Sequence, residues 1–204
     1  MKFFPVLLKL RPLGSLRVQA AFSIATLLIF LSCTAKPQEN SSSSIARAFE
    51  KAGLRTLKES IPARDFSLPV ASTGKFSVSA TTQSLSELKG KAVFLNFWAT
   101  WCGPCRSEMP SMEALYNKYR ERGLEVFAVN IMEKEDEVLS FMEDNDLSFP
   151  AALDLDGKVS NSYGIQSIPT TFLINREGNI VVRLVGSIDW DMPEIHAAIE
   201  ALLN

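Results

Sequence analysis

The sequence predicts an α/β protein whose central mixed sheet is flanked by helices on both faces, and three observations predict it. From residue 92 onward, apolar β-rich runs alternate with charged, helix-favouring segments. The run Ala92-Val93-Phe94-Leu95-Asn96-Phe97-Trp98 is bounded by Gly90 and reads as a strand that hands over to a helix near residue 103. Asn175-Arg176-Glu177-Gly178 lies between two apolar runs as a hairpin turn, which makes the last two strands antiparallel and the sheet mixed.

The chain has 204 residues, 47% of them hydrophobic, enough for one good core and one folded domain. Lys2, Lys9, Arg11 and Arg17 precede the first carboxylate, Glu39, and an apolar run fills residues 20–31. Residues 1–32 therefore read as an export signal, or as a membrane anchor if the segment is retained. Without those four cations the 21 basic residues become 17 against 23 acidic, a charge of about −6. Such a surface argues against nucleic-acid binding, which needs clustered Lys and Arg.

Cys33 is the odd cysteine of three. Phe30-Leu31-Ser32-Cys33 resembles a bacterial lipobox, with Phe30 where Leu is usual, and this resemblance implies a diacylglyceride on the Cys33 sulfur. Cleavage after Ala35 would instead discard the thiol. Residues 33–61 are expected to be a tether followed by a short helix. The polar stretch 36–44 has too little apolar surface to repay ordering. Ile45, Phe49, Ala52 and Leu57 follow near-helical spacing over 45–59, interrupted by Gly53.

The folded domain is expected over 62–204. Pro62 and Pro69 bracket a short strand, and Phe76, Val78 and Ala80 alternate with polar residues over 75–82, which together predict an N-terminal β-hairpin. Then follow strand 92–98, helix 103–121, strand 124–131, helix 135–145, strand 150–154, short helix 156–163, strands 170–175 and 179–185, and helix 191–203. Pro110 interrupts the ladder of the first long helix and should kink it. There is no internal repeat.

Trp101-Cys102-Gly103-Pro104-Cys105 places two thiols with two residues between them at the strand-to-helix junction, a redox motif before anything else. A zinc site would want four ligands, and outside this pair the chain offers only Cys33 and His196, so no metal is expected. His196 stands near Ile195 and Ile199 on the last helix and reads as a packing or surface residue. Only a thiolate attacks a disulfide. Cys102 at the helix start lies near unpaired N–H groups and the positive end of the dipole, which favour its anion. Cys105, a turn further in and more buried, should stay protonated longer. Cys102 is thus the expected nucleophile and Cys105 the resolving thiol. Glu108 continues the same three-residue spacing and shares their helix face.

Residues 97–106, Pro110, and Tyr163-Gly164-Ile165-Gln166-Ser167-Ile168-Pro169-Thr170 resemble the thioredoxin superfamily at both of its signature sites. Glu108-Met109-Pro110, the extra helix and strand at 133–154, the hairpin before the core and the export signal narrow the resemblance to the exported branch that includes TlpA, ResA and the cytochrome c maturation thioredoxins. The resemblance covers about residues 62–204. It implies a thioredoxin-like fold and an extracytoplasmic thiol:disulfide oxidoreductase, in the periplasm or on the outer face of a bacterial membrane. It also implies that no cofactor is required.

The same resemblance assigns Pro169 as a cis-proline abutting the cysteines, leaving the Ile168 backbone to pair with an extended client. Trp101, Pro104 and Trp98 would form an apolar rim, although Trp98 reads equally as core. Thioredoxin carries a buried Asp where this chain has Asn96, and Glu108 would replace it as proton acceptor for Cys105; the alternative is a solvated helix carboxylate. Implied partners are protein disulfides, apocytochrome c among them, a membrane electron-donor protein, and the membrane through a lipid or N-terminal helix. Three other readings stay open: oxidation or isomerisation of clients, a copper-handling or chaperone module, and peroxide reduction. The last is suggested by a likeness of residues 62–68 to peroxiredoxins and opposed by Ala99 and Leu95, where those proteins place Thr and Pro.

Overall fold

The elements run α1 (Ser41–Lys51), β1 (Thr56–Pro62), β2 (Ser67–Ala71), β3 (Thr81–Ser84), β4 (Ala92–Trp98), α2 (Gly103–Tyr119), β5 (Leu124–Ile131), α3 (Glu135–Asp144), β6 (Ala151–Asp154), α4 (Lys158–Ser162), β7 (Thr170–Ile174), β8 (Asn179–Val185) and α5 (Pro193–Leu203). They belong to a computed structural model that describes residues 41–71 and 81–204. The export segment, Cys33, and Phe76, Val78 and Ala80 of the expected hairpin lie outside the described residues.

Eight strands form one mixed sheet in the order β1-β8-β7-β4-β5-β6-β2-β3. All seven residues of β4 are buried, because β4 pairs parallel with β5 on one side and antiparallel with β7 on the other. Parallel neighbours need a crossover, and α2 and α3 supply those from β4 to β5 and from β5 to β6. The 175–178 turn closes through Gly178 at φ 84°, with Gly178 N–H donating to the Asn175 carbonyl at 2.9 Å, and β7 and β8 run antiparallel as expected.

Strand alternation divides the apolar side chains between two cores. Ala92, Phe94 and Trp98 face a core shared with α2 and α5, whereas Val93, Leu95 and Phe97 face a second core containing Leu85, Leu88 and Phe172. Asn96 has the parity of Phe94 and Trp98. It is therefore directed to the side of the sheet that carries α2.

The N-terminal segment differs from expectation. Helix α1, Ser41–Lys51, takes in part of the stretch expected as tether and ends by Gly53, whose φ of 76° allows the Leu54 N–H to reach back to the Phe49 carbonyl at 2.8 Å. Leu57 and Glu59 then lie in β1, an edge strand antiparallel to β8, rather than in a helix. Five consecutive exposed residues in β1 hide its period, so pairing with β8 decides its conformation. The hairpin pairs β2 with Thr81–Ser84, and of the second strand expected over 75–82 only Thr81 and Thr82 fall among the described residues. Helix α2 continues through Pro110 to Tyr119, followed by a 3-10 turn, Arg120–Arg122, that stops at Gly123 with φ 96°. The short helix expected over 156–163 is Lys158–Ser162, its first turn held by the Asp154 carboxylate, which accepts N–H bonds from Val159 and Ser160. Among the described residues no helix is long and apolar enough to cross a membrane.

Helix α1 packs against α5, and Phe49 is 0% exposed in the same core as Ile195 and Ile199. Phe49→Ala should lower the unfolding free energy by about 3–5 kcal/mol in urea titration. A tether residue making no core contact would change it by less than about 0.5 kcal/mol.

Candidate active site

The end of β4 leads through Ala99-Thr100-Trp101 to Cys102, the N-cap of α2. Extended backbone at Cys102 (φ −80°, ψ 105°) turns its Sγ back over the first helical turn, where it accepts the Cys105 N–H at 3.2 Å. Pro104 falls in that first turn, where its missing N–H costs no helix bond. Cys102 and Cys105 are joined as a disulfide with Cα atoms 5.2 Å apart. Cys102 is 5% exposed and Cys105 0%, so the outer sulfur belongs to the cap residue.

Pro169 precedes β7 in a cis peptide with Ile168 and lies beside the disulfide: Cys102 Sγ is 3.7 Å from the Ile168 carbonyl oxygen. The sulfur carries no proton in this oxidised form, so this is a contact and not a hydrogen bond. The Gly186 N–H donates to the Pro169 carbonyl at 2.9 Å and holds the turn from behind. Trp101 is 71% exposed and Pro104 is exposed beside it, while Ile168 is half-buried and Pro169 buried. Trp98 is no part of this rim. It is fully buried and tilted against Phe141, because its strand parity points it into the core.

Glu108 lies one turn beyond Cys105, 1% exposed, and is not a solvated helix carboxylate. Its Oε1 accepts from Asn96 Nδ2 at 3.0 Å and its Oε2 from Trp190 Nε1 at 3.1 Å. Burial pushes its pKa from 4.5 up to about 7, against the pull of the Trp190, Asn96 and Ile188 hydrogen bonds, which favour the anion. Asn96 also donates from Nδ2 to Thr171 Oγ1 at 2.9 Å. Strand, helix and the segment after β8 thus converge on one carboxyl.

Two groups in this region were not singled out from sequence. Glu133 accepts the Thr100 N–H at 2.7 Å, the Asn130 amide at 2.6 Å and the Thr100 hydroxyl, and so fixes the loop leading into Cys102. Trp190 is fully buried, its backbone N–H donating to Ser111 Oγ at 3.0 Å and its ring meeting Phe94 edge to face at 4.6 Å. Glu133 reads as one more acid in an acidic stretch, and Trp190 stands 82 residues from Glu108, beyond any local pattern. His196 pairs with Asp191 at 2.8 Å.

A thioredoxin-like fold carrying a Cys-x-x-Cys disulfide at a helix start, against a cis-proline, defines the class of protein. The chain belongs to the AhpC/TSA family, whose model matches residues 60–183. It is 47% identical over 102 residues to a thiol-disulfide oxidoreductase ResA of Bacillus cereus, a match covering 50% of this chain and 59% of that protein. The chain thus spans less than two thirds of that relative's length. Among solved structures, a candidate thiol:disulfide interchange protein DsbE from Chlorobium tepidum matches with a TM-score of 0.63 at 34% identity, covering 72% of this chain and 99% of the other. StoA from Bacillus subtilis matches with a TM-score of 0.54 at 27% identity, over 67% and 97% of the two chains.

A pKa raised by folding means that the folded protein holds the proton more tightly than the unfolded chain. The stability this contributes is fully present below pH 4.5 and is lost as pH rises through about 7. Between those limits the oxidised protein should lose roughly 3 kcal/mol that Glu108→Gln does not lose. Urea unfolding of both proteins at pH 4.5 and 8 reads the difference.

Proposed function

We propose that this protein is an extracytoplasmic thiol:disulfide oxidoreductase that reduces protein disulfides through a Cys102/Cys105 cycle. The observation that carries the reading is the Cys102–Cys105 disulfide at the start of α2, with its outer sulfur against the cis Ile168–Pro169 turn. The exposed Trp101 and Pro104 supply an apolar rim on which an extended client can lie, and the Ile168 backbone is positioned to pair with it.

In the reduced enzyme the Cys105 N–H and the helix terminus stabilise the Cys102 thiolate. That thiolate attacks one sulfur of a client disulfide, the client S–S bond breaks, and a mixed disulfide forms while the first client thiol leaves and takes up a proton. Glu108 accepts the Cys105 proton. The resulting Cys105 thiolate attacks Cys102 Sγ, the mixed disulfide breaks, the second client sulfur leaves as a thiolate that takes up a proton, and the enzyme disulfide closes. Two electrons pass from the enzyme dithiol to the client. A membrane protein that donates two electrons would reopen the disulfide, and an apocytochrome c disulfide is the client class that the family resemblance favours.

Gly103-Pro104 between the cysteines resembles the reducing end of the family and supports reduction over oxidation of clients. Leu95 and Ala99, both fully buried, leave no hydroxyl at the position where a peroxide-reducing site would have Thr. Retention near the membrane would come from the N-terminal segment, through lipid on Cys33 or an uncleaved anchor.

Wild-type protein should reduce a test disulfide, and Cys102→Ser should abolish the activity. Cys105→Ser should accumulate mixed disulfides on Cys102; recovering none from cells grown under reducing conditions would overturn the reductase reading. Glu108→Gln should slow resolution of a preformed mixed disulfide about a hundredfold, the lower range for a general base, with little effect on the first attack. Intact-mass measurement tests the anchor: a mature chain starting at Cys33 with an added diacylglyceride is expected, and one starting at Lys36 without lipid would exclude it.

A further inference from the structure

Trp190 and Asn96 hold the two oxygens of Glu108 in different ways. The indole N–H of Trp190 can only donate, its backbone is held by Ser111 and its ring packs on Phe94, so Oε2 is kept as an acceptor. A proton arriving on Glu108 therefore goes to Oε1, which faces the Asn96 amide at 3.0 Å. In the orientation seen, Nδ2 points there, and a protonated Oε1 would bring two donors face to face. The other end of the same amide, Oδ1, is buried and has no hydrogen-bond partner among the described residues. A buried acceptor without a partner is costly, and here nothing holds it in place.

We infer that Asn96 is a positioning residue that serves both protonation states of Glu108 by turning its amide over, donating through Nδ2 to the carboxylate and accepting through Oδ1 from the carboxylic acid. Rotation about the last side-chain bond puts Oδ1 where Nδ2 now lies, within reach of both Glu108 Oε1 and Thr171 Oγ1. The Thr171 hydroxyl accepts from the amide in one state and donates to it in the other, which its chemistry allows. One end of the amide is unpartnered in either orientation, so that penalty occurs in both states and does not pin the group.

The groups around Glu108 leave this exchange to Asn96. From β4 comes Asn96, from β7 Thr171, and from the segment after β8 come Trp190 and the Ile188 backbone; on α2 itself Cys105 lies one turn back, joined to Cys102 in the disulfide and without a proton to exchange in this form. Asp189 and Asp191, which flank Trp190, are exposed and bonded elsewhere. Among the described residues the carboxyl is shaped by its burial and by the Trp190, Asn96 and Ile188 hydrogen bonds. The inference rests on Glu108 changing its protonation during the cycle proposed above.

Isotope-labelled oxidised protein tests it directly. The Asn96 side-chain amide signals should titrate with the same midpoint as the Glu108 carboxyl carbon, and cross-peaks from the Asn96 Hδ2 protons to Thr171 should be present above that midpoint and lost below it. Cross-peaks that persist through the whole Glu108 titration would overturn the turnover. As a second arm, Asn96→Leu removes a donor that favours the ionised form more than the acid, because hydrogen bonds to charged groups are the stronger. It should lower the acid dissociation constant governing mixed-disulfide resolution by no more than about tenfold, because the amide serves the acid as well as the carboxylate; a shift of about a hundredfold or more in the folded variant would mark an amide that serves the carboxylate alone and would also overturn the inference. If Glu108→Gln leaves the resolution rate unchanged, the proton-acceptor reading fails by itself, and the magnetic-resonance result still decides the role of Asn96.

Discussion

The Glu108 carboxyl is held out of water where α2, β4 and the segment after β8 meet, and the active end of the domain is arranged around satisfying it there. An isolated buried carboxylate is costly enough that a protein either neutralises it or surrounds it with donors. This chain does both in part: Asn96 and Trp190 supply donors, while burial raises the pKa to about 7. The compromise leaves the group able to gain or lose a proton near neutrality, as a proton acceptor requires. The same bonds tie the first long helix to the central strand and to the approach to α5. The carboxyl is thereby a structural junction as well as a titrating group.

Much of this was legible in the sequence, and for definite reasons. The apolar run 92–98, the Gly-ended turn at 175–178 and the alternation of strand and helix patterns each carry a local physical signal, and each corresponds to an observed element. The two cysteines and Glu108 were legible as one helix face because a three-residue spacing is a local property. What escaped depends on tertiary contact. Thr56–Pro62 has no buried face of its own and becomes a strand only by pairing with β8. Trp190 is separated from Glu108 in sequence by the strands β5 to β8, and Glu133 from Thr100 by α2 and β5.

One further signal lay within reach. Asn96 is the single polar residue in a strand buried along its full length, and its parity with Phe94 and Trp98 directs it toward α2. Strand alternation alone therefore placed a buried amide on the side of the sheet where the cysteine helix packs. Sequence could not supply the height along α2 at which the two meet, which is set by the loop from Ala99 to Trp101 and by the bonds that Glu133 makes to Thr100.

The choice of an amide at position 96 follows from where the acid has been put. Two carboxyl groups about 3 Å apart cannot both ionise; they would share a proton and titrate as a pair, with one of them held protonated far above neutrality. With Glu108 on the helix, an acid at 96 would spread the proton-accepting role proposed for Glu108 over two coupled sites. An apolar residue there would leave Oε1 without a partner in either protonation state. Asn is the side chain of nearly the same shape that adds no charge and carries both a donor and an acceptor. Moving the acid from strand to helix thus accounts for the neutral strand residue, and it leaves one carboxyl on the same helix and one turn beyond Cys105.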